Sequence, residues 1–423
     1  MANPVDSADS SHVRMKPGEP GPHAGLNGWA FRLLVAATGA TFTGHVLMLP
    51  LVPLWAVRGG AGDVGAGATT AVFMFTTVVV QLAMPWLLDH GGYRWTFPVG
   101  ALLLAVPTPL FLLTGELWAL IAISVARGVG FGMVTVVGAA LAARLVRREQ
   151  IGRAAGYYGL AGGIPNIVAL STGVWLALEI GFGPVFWIAA IAPLIGAVLA
   201  FGIRQPDGGG SGPAPDAAPG RGTAPPPSGP ASYLVLAVPL LLMLVAAVAS
   251  SAIVTFLAIP LEEAATVAAA ALLAYGVFSV ASRWWAGMLG DRHGRPVLLI
   301  PGVAAVVLGM ALAAAAVWPA AAGWAGPGAM GTVAVVAGAA LFGAGFGAVQ
   351  NDTLVVMFRR IGPARYGAAS AAWNIGIDAG TGAGALGLGV VIQYLGYGPA
   401  FALTAVAMAV CLPNAAAVAR RTG

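Results

Sequence analysis

The chain has 423 residues, 59% of them hydrophobic and only 8% charged, against about 25% charged in a soluble protein. That deficit excludes a soluble globular body and leaves no basic surface for nucleic acid, although the formal net charge is +5. A single cysteine, Cys411, excludes an internal disulfide or a cysteine metal cluster. The one lysine, Lys16, stands in no G-x-x-x-x-G-K-[ST] sequence, so an ATP-hydrolysing P-loop is absent.

Residues 1–28 are polar and contain Pro and Gly, without an apolar core before a cleavage site; they read as a disordered cytoplasmic tail, not a secretory signal. Apolar runs then follow at roughly 29–57, 66–88, 95–115, 117–143, 152–180 and 183–203. After a Pro/Gly/Ala/Ser linker over 204–231, which cannot bury enough surface to fold, six more come at 232–259, 264–286, 297–318, 330–357, 366–394 and 397–419. Runs of this length read as membrane-spanning helices, because lipid offers backbone groups no outside partner. The expected fold is an all-α integral membrane protein of twelve helices, with an N-terminal six-helix half over 29–203, a C-terminal half over 232–419 and a short tail at 420–423.

Arginines orient the chain. Arg94, Arg144, Arg147, Arg148, Arg153, Arg204, Arg221, Arg292, Arg295, Arg359, Arg360 and Arg365 fall on the same side as Arg14, Lys16, Arg420 and Arg421. The opposite side offers Arg58 against Asp63, Glu116, Glu179, Glu262 and Glu263. Basic loops stay in the cytoplasm, so both termini are expected there and the protein in the cell membrane.

The halves repeat. GVGFG (128–132) parallels GAGFG (343–347), and GFGPVF (181–186) parallels GYGPAF (396–401). RREQIGRAAG from Arg147 parallels RRIGPARYGA from Arg359, and LLDHGGYR (87–94) parallels LGDRHGRP (289–296). Four matches in one order argue for duplication, and parallel six-span repeats with a site between them at mid-membrane are a transporter architecture.

The charge cluster between spans 8 and 9 then points to a family. Gly287, Asp291, Arg292, Gly294 and Arg295 resemble the G-x-x-x-D-R-x-G-R loop of the major facilitator superfamily. The first-half copy keeps Asp89, Gly92 and Arg94, with Pro85 and Tyr93 at two motif positions. The resemblance implies twelve helices, alternating access, and a conformational latch built from Asp89, Arg94, Gly287, Asp291, Arg292, Gly294 and Arg295. GHVLMLPLVP (44–53) is similar to a G-x-x-x-x-x-P-x-x-P pattern in span 1 of drug-efflux members. Arg127 with Gly130 and Gly132 resembles the R-x-x-x-G-x-G of span 4, one residue short. The span 5 segment 159–173 holds Pro165 without the Gly-Pro pair of the antiporter branch.

Ionisable or amide side chains inside a span are costly and are therefore functional candidates. Asp378, 13 residues past Arg365, lies about 20 Å along its helix. An acid at that depth can release a proton when a cation or water approaches, and recover it when dry. Asp378 is thus the expected proton carrier; its alternative is a permanently protonated or Asn-bonded residue that fixes helix packing. Asn374 lies one turn before it on the same face. His45, Gln81 and Asn166 complete the expected substrate cavity, although a lone His more often donates one hydrogen bond between helices. Arg127 is an intramembrane charge that could hold an anion or pair internally, with Asp378 or a carbonyl; internal pairing or a conformational role is favoured. His12, His23, His90 and His293 lack metal-ligand spacing, so no metal and no other cofactor is expected.

The expected function is secondary transport, with protons as coupling ion and export of a small hydrophobic or amphipathic compound. Uptake of a small metabolite is the alternative. A membrane enzyme would need clustered acids or a nucleophile–base pair; Asn351 and Asp352 form no such set. The expected partners are the substrate, protons and the lipid bilayer, with the protein itself a monomer.

Overall fold

A computed structural model describes residues 25–147, 150–203, 230–318, 328–361 and 366–421. The tail before residue 25, most of the expected linker (204–229) and Arg148, Arg204, Arg221 and Arg365 lie outside the described residues. Among the described residues the regular structure is helical: α1 (Trp29–Arg58), α2 (Gly62–Ala105), α3 (Leu117–Arg144), α4 (Ile151–Glu179), α5 (Phe182–Phe201), α6 (Pro230–Ser251), α7 (Ala265–His293), α8 (Leu299–Val317), α9 (Ala329–Ile361), α10 (Tyr366–Leu395), α11 (Tyr397–Val410) and α12 (Leu412–Arg421). A 3₁₀ turn at Thr108–Leu113 extends the third span, and a π-helical turn at Ala252–Phe256 follows α6.

Among the described residues, twelve stretches are long and apolar enough to cross a membrane. Two of them share α2, where the sequence places a loop. A straight helix of 44 residues would reach about 66 Å, twice a bilayer core. Yet Gly128 of α3 packs on the Phe73 carbonyl, and Gly130, one turn away at most, packs on that of Gly100. Residues 73 and 100 therefore lie at similar depth, and the chain reverses between the span limits Met84 and Trp95. The last span is also divided, breaking at Cys411 between α11 and α12.

Lipid gives apolar helices no reason to associate with one another, so small residues must supply close packing. The repeated glycines do so in parallel. In α3, Gly128, Gly130 and Gly132 sit against the carbonyls of Phe73, Gly100 and Thr77. In α9, Gly343, Gly345 and Gly347 sit against those of Tyr275, Gly302 and Ser279. The carbonyls approach so closely that a Cβ at any of the six positions would lie 2.0–2.9 Å from one. The matched Gly181 and Gly396 precede α5 and α11 with φ of +112° and +85°, in a region nearly closed to other residues. The sequence repeat is thus a repeat of backbone geometry.

The first and last six spans meet along two seams, α2 on α10 and α4 on α7. Near the end bearing the acidic loops the first seam is tight: Gly67 abuts the Ala385 carbonyl and Gly389 the Asp63 carbonyl. Tyr397 Oη donates to Asp63 Oδ1 at 2.6 Å, and Arg58 Nε meets Glu262 Oε1 at 2.5 Å across the sets. On the second seam Gly276 touches the backbone of Asn166 and Ile167. Toward the basic end the helices separate. Arg153, Tyr157, Leu160 and Ile164 on α4, Arg283 to Trp285 on α7, and Asn374 on α10 are exposed. A Cβ at Gly156, Gly159 or Gly163 would meet nothing. The described seams close at the acidic end and open at the basic end.

Candidate functional site: the seam between the two sets of spans

α10 carries Asp378 near its middle, and α2 presents Gln81 to it across the seam. Gln81 Nε2 donates to Asp378 Oδ2 at 2.8 Å, while Gln81 Oε1 has no partner. Two of the expected cavity residues are therefore brought together, from opposite sets. The carboxylate is half-buried at the level where the seam begins to open. Ionised, it accepts from the amide; protonated, it can donate to Oε1 after the amide turns over. Asn374 lies one turn nearer the basic end, exposed, with its Nδ2 turned back to the Ser370 carbonyl at 2.8 Å.

Asn166 does not join this group. Its Nδ2 donates to the Gly162 carbonyl of its own helix at 3.0 Å, beside Pro165, which supplies no amide of its own. The residue marks the α4–α7 seam. Its amide is occupied and turned along α4.

His45 and Arg127 meet elsewhere, inside the first six spans. The His45 ring stacks on Phe131, with centroids 3.8 Å apart, and on Phe73 at 5.1 Å. It makes no hydrogen bond to a described residue, so the expected interhelical bond is replaced by aromatic stacking. Arg127, 3% exposed, has its guanidinium 5.7 Å from the centroids of both Phe73 and Phe111. Its Nε and Nη2 lack partners. The internal pairing favoured from sequence is thus not formed: Asp378 bonds to Gln81, and aromatic faces surround the arginine instead. A cavity of about 20 Å³ opens between His45, Thr69, Thr70, Ser124 and Arg127.

Sequence reasoning missed Arg283. It lies ten residues before the end of α7 at His293, about 15 Å in from that end. Its Nη1 donates to Gln350 Oε1 at 3.3 Å, and it sits 5.4 Å from the Trp373 ring centroid. The signal was present: an arginine within an apolar run is costly wherever the run is drawn. It falls inside the expected span 264–286 yet was not taken up among the intramembrane polar residues. Arg283, Gln350 and Asn374 give the open end of the path a polar wall contributed by the last six spans.

The loop between spans 8 and 9 is docked within its own set. Gly294 caps α7 in the left-handed region with φ +66°, a common glycine stop. The Arg359 guanidinium donates to its carbonyl. Gly287 faces Asn351 at ordinary contact distance. Asp291, Arg292 and Arg295 are exposed, and Asp291 has no polar partner among the described residues. The neighbouring acid is Asp352, fully buried, whose Oδ1 accepts from Asn351 Nδ2 at 3.1 Å beside the Leu298 and Leu299 amides at the start of α8. Side chains at Asp89 and Arg94 lie outside the described residues. No group of three or more metal-ligating side chains is found among the described residues.

Comparison with solved structures places three transporter structures among the neighbours of this chain. The nucleoside transporter NupG superposes with a TM-score of 0.68 at 13% identity, covering 92% of this chain and 98% of that one. A point mutant of NupG gives 0.71 at 13% identity, over 92% and 99%. A bacterial homologue of the human lysosomal transporter Spinster, inward-facing and unoccupied, gives 0.64 at 15% identity, over 93% and 97%. At these identities the likeness is one of fold. No curated protein matches by sequence. The model of the Major Facilitator Superfamily matches residues 33–351. With twelve spans, the paired glycine packing and the fold of these transporters, the chain belongs to the Major Facilitator Superfamily and is a multi-pass membrane transporter of small molecules.

Proposed function

We propose that the protein exports a small hydrophobic or amphipathic compound in exchange for protons, by alternating access between two six-helix halves. In this reading it works as a monomer in the cell membrane, with both termini cytoplasmic. The observation that carries the reading is the Gln81–Asp378 bond, which joins α2 to α10 where the seam begins to open. Opening of the acidic end must break this bond and let outside water reach and protonate the carboxylate. When the basic end opens again, the bond re-forms on the ionised group and the proton leaves inward, a step that substrate binding from that side favours. The latch residues Asp291, Arg292 and Arg295 point into solvent here, as expected of a latch that engages only when the basic end closes. The expected cavity thereby narrows to Gln81, Asn374 and Asp378, joined by Arg283 and Gln350.

Uptake is the second reading. Arg283, Gln350 and Asn374 suit a polar or anionic solute better than a purely apolar one, and NupG, similar in fold, is a nucleoside transporter. Proton flux in proteoliposomes separates the two. Wild type is challenged with cationic, neutral amphipathic and polar compounds, beside Asp378→Asn. Compound-driven proton release in wild type alone supports coupling at Asp378, and the active compound gives the substrate class. Equal flux in the variant removes Asp378 from the mechanism.

A further inference from the structure

The aromatic pocket of the first six spans holds a charge that no described acid balances. A guanidinium stays protonated in proteins and presents five N–H donors. Arg127 is almost fully buried, and two of its nitrogens have no partner. The acids that could reach inward are engaged elsewhere, Asp378 with Gln81 and Asp63 with Tyr397. Ring faces of Phe73 and Phe111 offset part of the charge, but a π face cannot satisfy in-plane N–H groups.

The adjoining cavity, about 20 Å³, is lined by four apolar side chains of α1 and α2 and by His45, Thr69, Thr70, Ser124 and Arg127. That is room for about one water-sized particle, far below the several hundred Å³ of a drug or metabolite site. Thr69 already donates to the Ala66 carbonyl, whereas the hydroxyls of Thr70 and Ser124 bond to no described residue. Both are free to donate into the cavity. A water there would satisfy donors and leave the charge; a small anion does both.

We infer that this pocket binds one halide-sized monovalent anion, held by Arg127, the hydroxyls of Thr70 and Ser124, and the His45 ring. The site is separate from the Gln81–Asp378 seam and does not depend on the direction or substrate of transport. Its occupant neutralises the buried arginine and joins α1, α2 and α3, which supply the lining.

The test is a melting titration of the purified full chain in a halide-free isethionate buffer. Chloride or bromide is added at constant ionic strength and unfolding is followed by tryptophan fluorescence. A ligand that binds only the folded state raises the midpoint, so a saturable rise is expected with both halides. Arg127→Met is expected to lose the halide dependence. Should that variant fail to fold, Ser124→Ala is expected to weaken half-saturation several-fold. Bromide-soaked crystals of the wild type are expected to show anomalous scattering beside Arg127. A flat midpoint in wild type, an undiminished halide response in Arg127→Met or Ser124→Ala, or bromide crystals without a peak in the pocket would overturn the assignment.

Discussion

Gly67 is where a single methyl group should redirect the conformational equilibrium. An added Cβ there would lie 2.1 Å from the Ala385 carbonyl oxygen, 2.9 Å from its carbon and 3.3 Å from Phe256 Cζ. The obstacle is backbone on the other side of the seam, so no side-chain rotation relieves it; α2 and α10 must move apart by about 1 Å. Forcing an extra methyl into a packed contact costs roughly 1–3 kcal/mol, which corresponds to about 5- to 150-fold in an equilibrium. The cost falls only on conformations closed at the acidic end. Gly67→Ala is therefore expected to shift the protein toward the opposite access state. Gly130→Ala, whose Cβ would meet the Gly100 carbonyl within the same set of spans, should lower stability without that shift. Spin labels at Glu116 and Glu263, both exposed near the acidic end, would report it by pulsed distance measurement, after Cys411→Ser removes the native thiol. A longer distance population in Gly67→Ala but not in Gly130→Ala is expected. Unchanged distances in Gly67→Ala, with only a lower melting midpoint, would refute the claim that this contact belongs to one access state.

Three further outcomes follow from the same geometry. Gly181→Ala and Gly396→Ala, at φ +112° and +85°, should each cost about 1–3 kcal/mol of stability through backbone strain, read as a lower melting midpoint; if both melt as wild type, the repeated glycine conformation carries no strain. The Arg58–Glu262 pair has side chains 38% and 34% exposed, so a double-mutant cycle should return only about 0.2–1 kcal/mol and shrink further in salt, while a coupling of several kcal/mol would mean that it is the main lock. Asp291→Asn removes a charge without a partner in this conformation, so its effect on stability should stay within about 0.5 kcal/mol while transport slows; normal transport would dismiss the latch.

The sequence by itself determined the class, the span number and the duplication. Those follow from a one-dimensional quantity, the run length of apolar residues against bilayer thickness. The pairing of GVGFG with GAGFG likewise became a pairing of close helix approaches, because glycine in lipid acts by what it lacks. Depth was legible too: Asp378, read as a mid-membrane acid, lies near the middle of α10. What the sequence left open was which side chains meet. Gln81 and Asp378 are 297 positions apart, and only the packing of α2 on α10 makes them neighbours. His45 and Arg127 fall together because α1 and α3 enclose the same aromatic cluster, whereas Asn166, also expected in the cavity, turns along its own helix. Arg283 lay within the expected span 264–286 and was passed over there; only the packing of α7 shows it beside Gln350 and Trp373. The direction of opening also depends on the tertiary structure, since it is a property of seams between the two sets of spans, and residue order along either set carries no record of it.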